Sequence, residues 1–146
     1  MSSGPPGGAG PPSNARLHHI GFVVPSIRNS GQSFAESLGS TWDGSIVHDP
    51  LQMVRVTFLR GRSPADPLIE LVEPDGPLSP AAGCLRRGGG LHHLCYEVED
   101  LDLRLRAYEA MLAKVVRLPA PAVAFGGRRI AWVVTKDKLL LEFLER

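Results

Sequence analysis

Two cysteines, Cys84 and Cys95, are too few in 146 residues for a disulfide framework. Cys95 stands in an apolar run, where a free thiol behaves as a small hydrophobic side chain. The sequence also lacks any run of about 18 apolar residues, the length a membrane-crossing helix needs. Its opening, MSSGPPGGAGPPSN, has neither the basic nor the apolar region of a secretory signal. Charge of one sign is missing too: 16 Lys and Arg stand against 15 Asp and Glu, a formal net charge of +1. Nothing in that balance suits a partner with many phosphates, so neither a nucleic acid nor a membrane is expected. The basic clusters LRR at 85–87 and GGRR at 126–129 read as solvated faces or as contacts for the phosphates of a small ligand. Phosphate-loop and nucleophilic-triad motifs are absent. A cytoplasmic protein working on small molecules is the expectation.

What the sequence has is a repeat. Residues 17–24, LHHIGFVV, match 91–98, LHHLCYEV, at an offset of 74, and 69–73, IELVE, match 141–145, LEFLE, at an offset of 72. Each half thus carries a histidine near its start and a glutamate near its end. The chain divides into a disordered Gly/Pro-rich lead-in over 1–14, a first module over 15–76, a linker over 77–90 and a second module over 91–146. In the first half, a β-type run is followed by a helix from Ser26, its N-cap, to Gly39, its stop. The second half has a helix over DLDLRLRAYEAMLAK capped by Asp100, with Leu101, Leu105, Tyr108 and Leu112 at the spacing of one face. Three strand candidates follow each helix: SIVHD, QMVRVTFLR and LIELVE, then VVRLP, RRIAWVV and KLLLEFLE. The order is βαβββ, twice, an α+β fold. A helical turn over Pro80–Arg86 is expected in the linker.

Strand alternation sorts the histidines. Neighbouring strand residues point to opposite faces. If Ile20, Phe22 and Val24 face the helix, His19 faces the other way and His18 is turned from it. The same parity sets His93 apart from His92, Glu70 from Ile69 and Leu71, and Glu142 from Leu141 and Phe143. His19, Glu70, His93 and Glu142 would then share a face. Two imidazoles and two carboxylates suit a divalent ion such as Zn, Co, Ni, Fe or Mn. A strand histidine is often a hydrogen-bonded structural residue instead. That reading must still explain two carboxylates inside LIELV and LLLEFL, where burial without a partner costs several kcal/mol.

These segments resemble the vicinal-oxygen-chelate superfamily, and within it the methylmalonyl-CoA epimerases. LHHIGFVVPSI, IELVEPDGPLSP and GGGLHHLCYEVEDLD carry the likeness, which runs from about Arg16 to Glu145. The resemblance implies paired βαβββ modules in a cupped mixed β-sheet with helices packed outside, one divalent metal held by His19, Glu70, His93 and Glu142, and a homodimer. It also implies epimerisation of methylmalonyl-CoA or a related 2-substituted acyl thioester, with Glu142 or Glu70 as the base that removes the α-proton. Some such epimerases use a carboxylate on the third strand, but MVRVTFL offers only Arg55 and Thr57. These two are the substrate-contact candidates. Arg55 either holds the substrate carboxylate through paired hydrogen bonds or is a solvated strand residue. The run VVTKDKLLLEF lacks the HPK segment common among the epimerases, and PAPAVAFGGRR alters the loop before it. Three other activities stay open: a glyoxalase I-like isomerase of a thiohemiacetal, a tailoring enzyme of secondary metabolism, and a small-molecule binding or resistance protein. Trp42 and Trp132 are packing residues or the aromatic walls of such a site.

Overall fold

In the computed structural model, which describes residues 14–146, β1 (Arg16–Val23) and β5 (Gly90–Val98) run antiparallel down the middle of an eight-stranded sheet. The expected lead-in lies outside the described residues except for Asn14. On one side of this seam stand β4 (Leu68–Pro74), β3 (Val54–Leu59) and β2 (Val47–Asp49). On the other stand β8 (Leu140–Glu145), β7 (Arg129–Val134) and β6 (Lys114–Pro121). The spatial order β2-β3-β4-β1-β5-β8-β7-β6 therefore reads the same from either end once the halves are exchanged. In each half the first strand pairs parallel with the last, β1 with β4 and β5 with β8, and the remaining pairs are antiparallel.

Helices cover the outer face. In α1 (Ile27–Leu38), the Ser26 hydroxyl accepts the Asn29 N–H, and Gly39 ends the helix at φ 64°, a conformation that favours glycine. Ile27 and Ala35 pack on Leu59 and Leu71, with Phe22, Phe34 and Trp42 around them. In α3 (Leu101–Ala110), Asp100 accepts the Leu103 N–H, and Leu101 and Leu105 pack on Val133, Leu141 and Phe143. Burying a side chain such as Phe143 contributes about 2–3 kcal/mol. The repeat extends to the caps: Glu73 at the end of β4 accepts the Ile27 N–H, and Glu145 at the end of β8 accepts the Leu101 N–H. Carboxylates suit these helix starts because the unpaired N–H groups there carry partial positive charge.

The helix of the second half, α3, is shorter than the sequence predicts. It ends at Ala110, Leu112 takes φ 69°, and its side chain is exposed rather than turned to the sheet. The helical spacing continues past the point where the Ala113 N–H turns back to the Tyr108 carbonyl. The expected linker turn is α2 (Ala82–Arg86). Among the described residues no helix is long and apolar enough to cross a membrane.

The cup is pinned across its mouth by Asp49, which is almost fully buried at the end of β2. Its Oδ1 accepts the Leu51 and Gln52 N–H groups, while Oδ2 accepts the N–H of Val123. Val123 opens a single 3-10 turn (Val123–Phe125) of the opposite half. Asp49→Ala leaves three backbone donors short of their acceptor and is expected to lower stability by about 2–3 kcal/mol, measured by urea unfolding.

Candidate metal centre

Two rows of residues cross the concave face, each made of three strands of one half and the facing central strand of the other. In one row Phe58, Glu70, Gly21 and His93 lie side by side on β3, β4, β1 and β5. In the other, His19, Cys95, Glu142 and Trp132 lie on β1, β5, β8 and β7. The rows correspond under the repeat, so His19 matches His93 and Glu70 matches Glu142. All four are buried. Their donor atoms converge: His19 Nε2 is 3.2 Å from His93 Nε2, 3.3 Å from Glu70 Oε1 and 3.1 Å from Glu142 Oε1. His93 Nε2 is 3.1 Å from Glu70 Oε1 and 3.3 Å from Glu142 Oε1.

This spacing tests whether the residues fit a metal. Donors ~2.0–2.2 Å from one ion stand ~3 Å apart around an octahedron and ~3.4 Å apart around a tetrahedron. Two neutral imidazoles and two carboxylates present more lone pairs to one another than protons to share. Glu142 Oε1 in fact has no hydrogen-bond partner despite its short approach to both histidines. Electrostatics agrees. Burial opposes charge on His19, yet the Glu70 carboxylate overrides it and holds the imidazole well above its ordinary range. His93 is raised likewise, burial again being outweighed by Glu142 and Glu70. Burial would raise the two glutamates, but the histidines beside them hold both below the usual carboxylate range. The cluster calls for positive charge at its centre, and the His/Glu donor set suits a divalent ion.

Close packing fixes the rings. The Trp132 ring meets His93 edge-on at 4.7 Å between centroids, and Phe58 meets His19 in the same way at 5.6 Å. Phe125, in the 3-10 turn, stacks on His19. A Cβ on Gly21 would lie 2.1 Å from Cε1 of His93, so the His93 ring occupies the space that only glycine leaves.

The cluster opens into a cavity of about 440 Å³. Its walls are mostly apolar, with Val54, Val56 and Val72 from one half and Ala122, Ile130 and Leu140 from the other. Asp49, Gln52, His92 and Arg117 add polar groups. Asp49, Gln52, Arg117 and Phe125 were not singled out in the sequence, where they lie in turns or on an edge strand with no repeat or motif to mark them.

Two readings of the sequence change. Arg55 and Thr57 lie on the outer face of β3, whose inward residues are Val54, Val56 and Phe58. Arg55 pairs with Asp75 at 3.1 Å and is 41% exposed, while Thr57 accepts the Trp42 indole N–H and donates to the Ser45 carbonyl. Neither borders the cavity. Trp42 is accordingly a packing residue on α1, and Trp132 a cavity wall. Strand alternation also breaks at His18 and His92. The ladder between β1 and β5 shifts register between Leu17 and His19 and again between Gly21 and Phe22, leaving His18 and His92 unpaired. A bulge of this kind puts an extra residue into one strand and suspends alternation. Both rings turn alongside their neighbours, with His18 Nδ1 2.8 Å from His19 Nδ1 and His92 Nδ1 2.9 Å from His93 Nδ1. Burial and the adjacent histidine push each of these outer rings down to about 4.

Comparison with known proteins follows the same lines. Residues 18–132 match the model of the glyoxalase/bleomycin resistance protein/dioxygenase superfamily. An ethylmalonyl-CoA/methylmalonyl-CoA epimerase of Cereibacter sphaeroides is 34% identical over 125 residues, 84% of this chain and 90% of that protein. Among solved structures, a hypothetical protein of Bacillus halodurans superposes with a TM-score of 0.77 at 28% identity, over 92% of this chain and 96% of that one. The methylmalonyl-CoA epimerase of Mycobacterium tuberculosis gives 0.75 at 25% identity, over 89% and 87%. The chain belongs to the glyoxalase/bleomycin resistance protein/dioxygenase superfamily and, within it, to the family of these epimerases.

Proposed function

We propose that the chain is a metal-dependent epimerase of 2-substituted malonyl thioesters of coenzyme A, with methylmalonyl-CoA the first substrate to test. The observation that carries this reading is the convergence of His19, Glu70, His93 and Glu142 on one point at the edge of an apolar cavity. The relative from Cereibacter sphaeroides, an ethylmalonyl-CoA/methylmalonyl-CoA epimerase, supports the substrate class. His19, Glu70, His93 and Glu142 would hold the ion. A divalent ion there would polarise the two carbonyl groups that flank the substrate's α-carbon and make its hydrogen more acidic.

The chain supplies the rest. Each glutamate has Oε1 in the donor cluster, which leaves Oε2 for proton transfer. Glu142 takes the α-proton on Oε2, and the electron pair it leaves spreads over the substrate's carbonyl groups. Glu70 enters from the other half of the sheet; once it has taken a proton from solvent on Oε2 it returns that proton to the opposite face, and exchange of the Glu142 proton with solvent resets the pair. The valines and alanines of the wall receive the 2-alkyl group and keep water from the carbanion. Arg117 and Gln52 are the side chains on the wall suited to a carboxylate. A second copy of the chain is part of this reading, supported by the exposed Leu112 and by Leu118 on the edge strand β6, with sedimentation as its test. A cytoplasmic location is part of it as well.

Metal-loaded protein is expected to exchange the α-proton of both C2 epimers of methylmalonyl-CoA in D₂O with inversion, followed by NMR and chiral analysis. Exchange without inversion would remove one glutamate from the proton relay. No exchange at full metal occupancy would overturn the reading, and turnover of a glutathione hemithioacetal instead would move the chain to the glyoxalase I type of isomerase.

A further inference from the structure

We infer that His18 and His92 are positioning residues, each accepting a hydrogen bond at Nδ1 that fixes the tautomer and plane of the neighbouring ligand imidazole. The inference rests on the metal reading above and assigns a role to the half of each His-His pair that this reading leaves unused.

The β1–β5 ladder carries two irregularities. The repeat places one at His18 and one at His92, so the pair obeys the symmetry of the site. Without them, alternation would send His18 and His92 to the outer face, away from His19 and His93. With them, each outer ring stands edge-on to its neighbour, 5.1 Å between centroids in both halves. The contact is the same twice: Nδ1 to Nδ1, at 2.8 Å and 2.9 Å.

Tautomer logic sets the direction of these bonds. His19 and His93 turn Nε2 toward the donor cluster, so Nε2 must present a lone pair to the ion. The one proton of each neutral ring then sits on Nδ1 and is donated. The receiving Nδ1 of His18 or His92 must be bare, with that ring's proton on Nε2. A ligand imidazole commonly donates its second N–H to a carboxylate or carbonyl, which orients the ring and raises its basicity. Here another imidazole takes that part. Phe125 lies edge-on to His18, and Trp132 lies beside His92, so aromatic neighbours brace both acceptors. A bulged histidine is a short and stiff way to bring an acceptor to the next residue's ring, because both side chains leave adjacent backbone positions.

The test uses zinc-loaded protein labelled with ¹⁵N at histidine. Long-range ¹H–¹⁵N correlation should show His19 and His93 protonated at Nδ1, and His18 and His92 protonated at Nε2. His18→Asn and His92→Asn keep an acceptor near the old Nδ1 and should hold the ion within about threefold of wild type. His18→Leu and His92→Leu should bind it about 10- to 100-fold more weakly in chelator competition. Metal-free unfolding midpoints show whether each variant folds. If Asn and Leu variants of equal stability lose affinity equally, the rings only fill space and the inference falls. It falls also if metal-bound His19 or His93 lacks a proton on Nδ1. Failure of the wild-type chain to take up any ion would remove the underlying reading, and is seen separately by metal analysis.

Discussion

His93→Ala is expected to abolish stoichiometric uptake of a divalent ion and to lower epimerase turnover by about three orders of magnitude, some 4 kcal/mol of transition-state stabilisation. His93 Nε2 lies within 3.1–3.3 Å of the other three donor atoms, so its loss leaves the cluster one imidazole and two carboxylates. Activity alone does not isolate this role, because a lost ligand and a lost base both stop the reaction. Thermal unfolding with and without added ion separates them. An ion that binds only the folded chain stabilises it by about 2.7 kcal/mol at a hundred times its dissociation constant. Wild type should show that shift and His93→Ala should not. A full shift in the variant would remove His93 from the ligand set.

Gly21→Ala should damage the same centre without removing any donor. The added Cβ would stand 2.1 Å from Cε1, 2.5 Å from Nδ1 and 2.6 Å from Nε2 of His93, well inside any tolerable contact. Gly21 lies between Glu70 and His93 in its row, so the ring has no easy retreat along the sheet. Swinging it away breaks the approach to His92 and carries Nε2 out of the cluster. Metal affinity should fall at least ~10-fold, as for a ligand that has lost its support. A double-mutant cycle supplies the control: once His93 is alanine, the three nearest atoms the methyl would meet are gone, and Gly21→Ala should have a much smaller further effect on unfolding free energy. An equal effect in both backgrounds would place the strain in the backbone instead.

The sequence exposed the repeat and the inward face of β4 and β8 because those strands are regular. Glu70 and Glu142 stand between apolar residues that pack on the helices, and a period of two puts them on the cup side without further information. His19 and His93 follow from the same parity. Their partners did not, because a bulge is a property of two strands in register, and neither strand alone shows which residue will be left unpaired. The doubled histidine was visible; its direction was not. On β3 the difficulty was different. Thr57 and Leu59 are covered by Trp42 and α1 on the outer face while Val54, Val56 and Phe58 turn into the cup, so the run VRVTFL shows no clean apolar-polar alternation to orient it. Arg55 reaches solvent from the outer face through its ion pair with Asp75, and Val56 lines the cup. The pinning role of Asp49 depends on a backbone N–H 74 residues away, a distance at which no local pattern operates.

The seam between β1 and β5 has a mechanical consequence. Each half of the chain brings one histidine and one glutamate, so an ion held by all four would be tied to both sides of the seam. It would then act as a cross-link between two half-sheets that are also joined by one antiparallel ladder with two irregularities, by the strap at Asp49 and by the packing of Phe125 on Phe58. Taking the ion away is then expected to leave the helices and each half-sheet intact and to ease the shear of one half against the other. Amide exchange should register this as faster turnover of the β1 and β5 hydrogen bonds than of those joining β7 to β8, with the fold unchanged on either side of the slip plane.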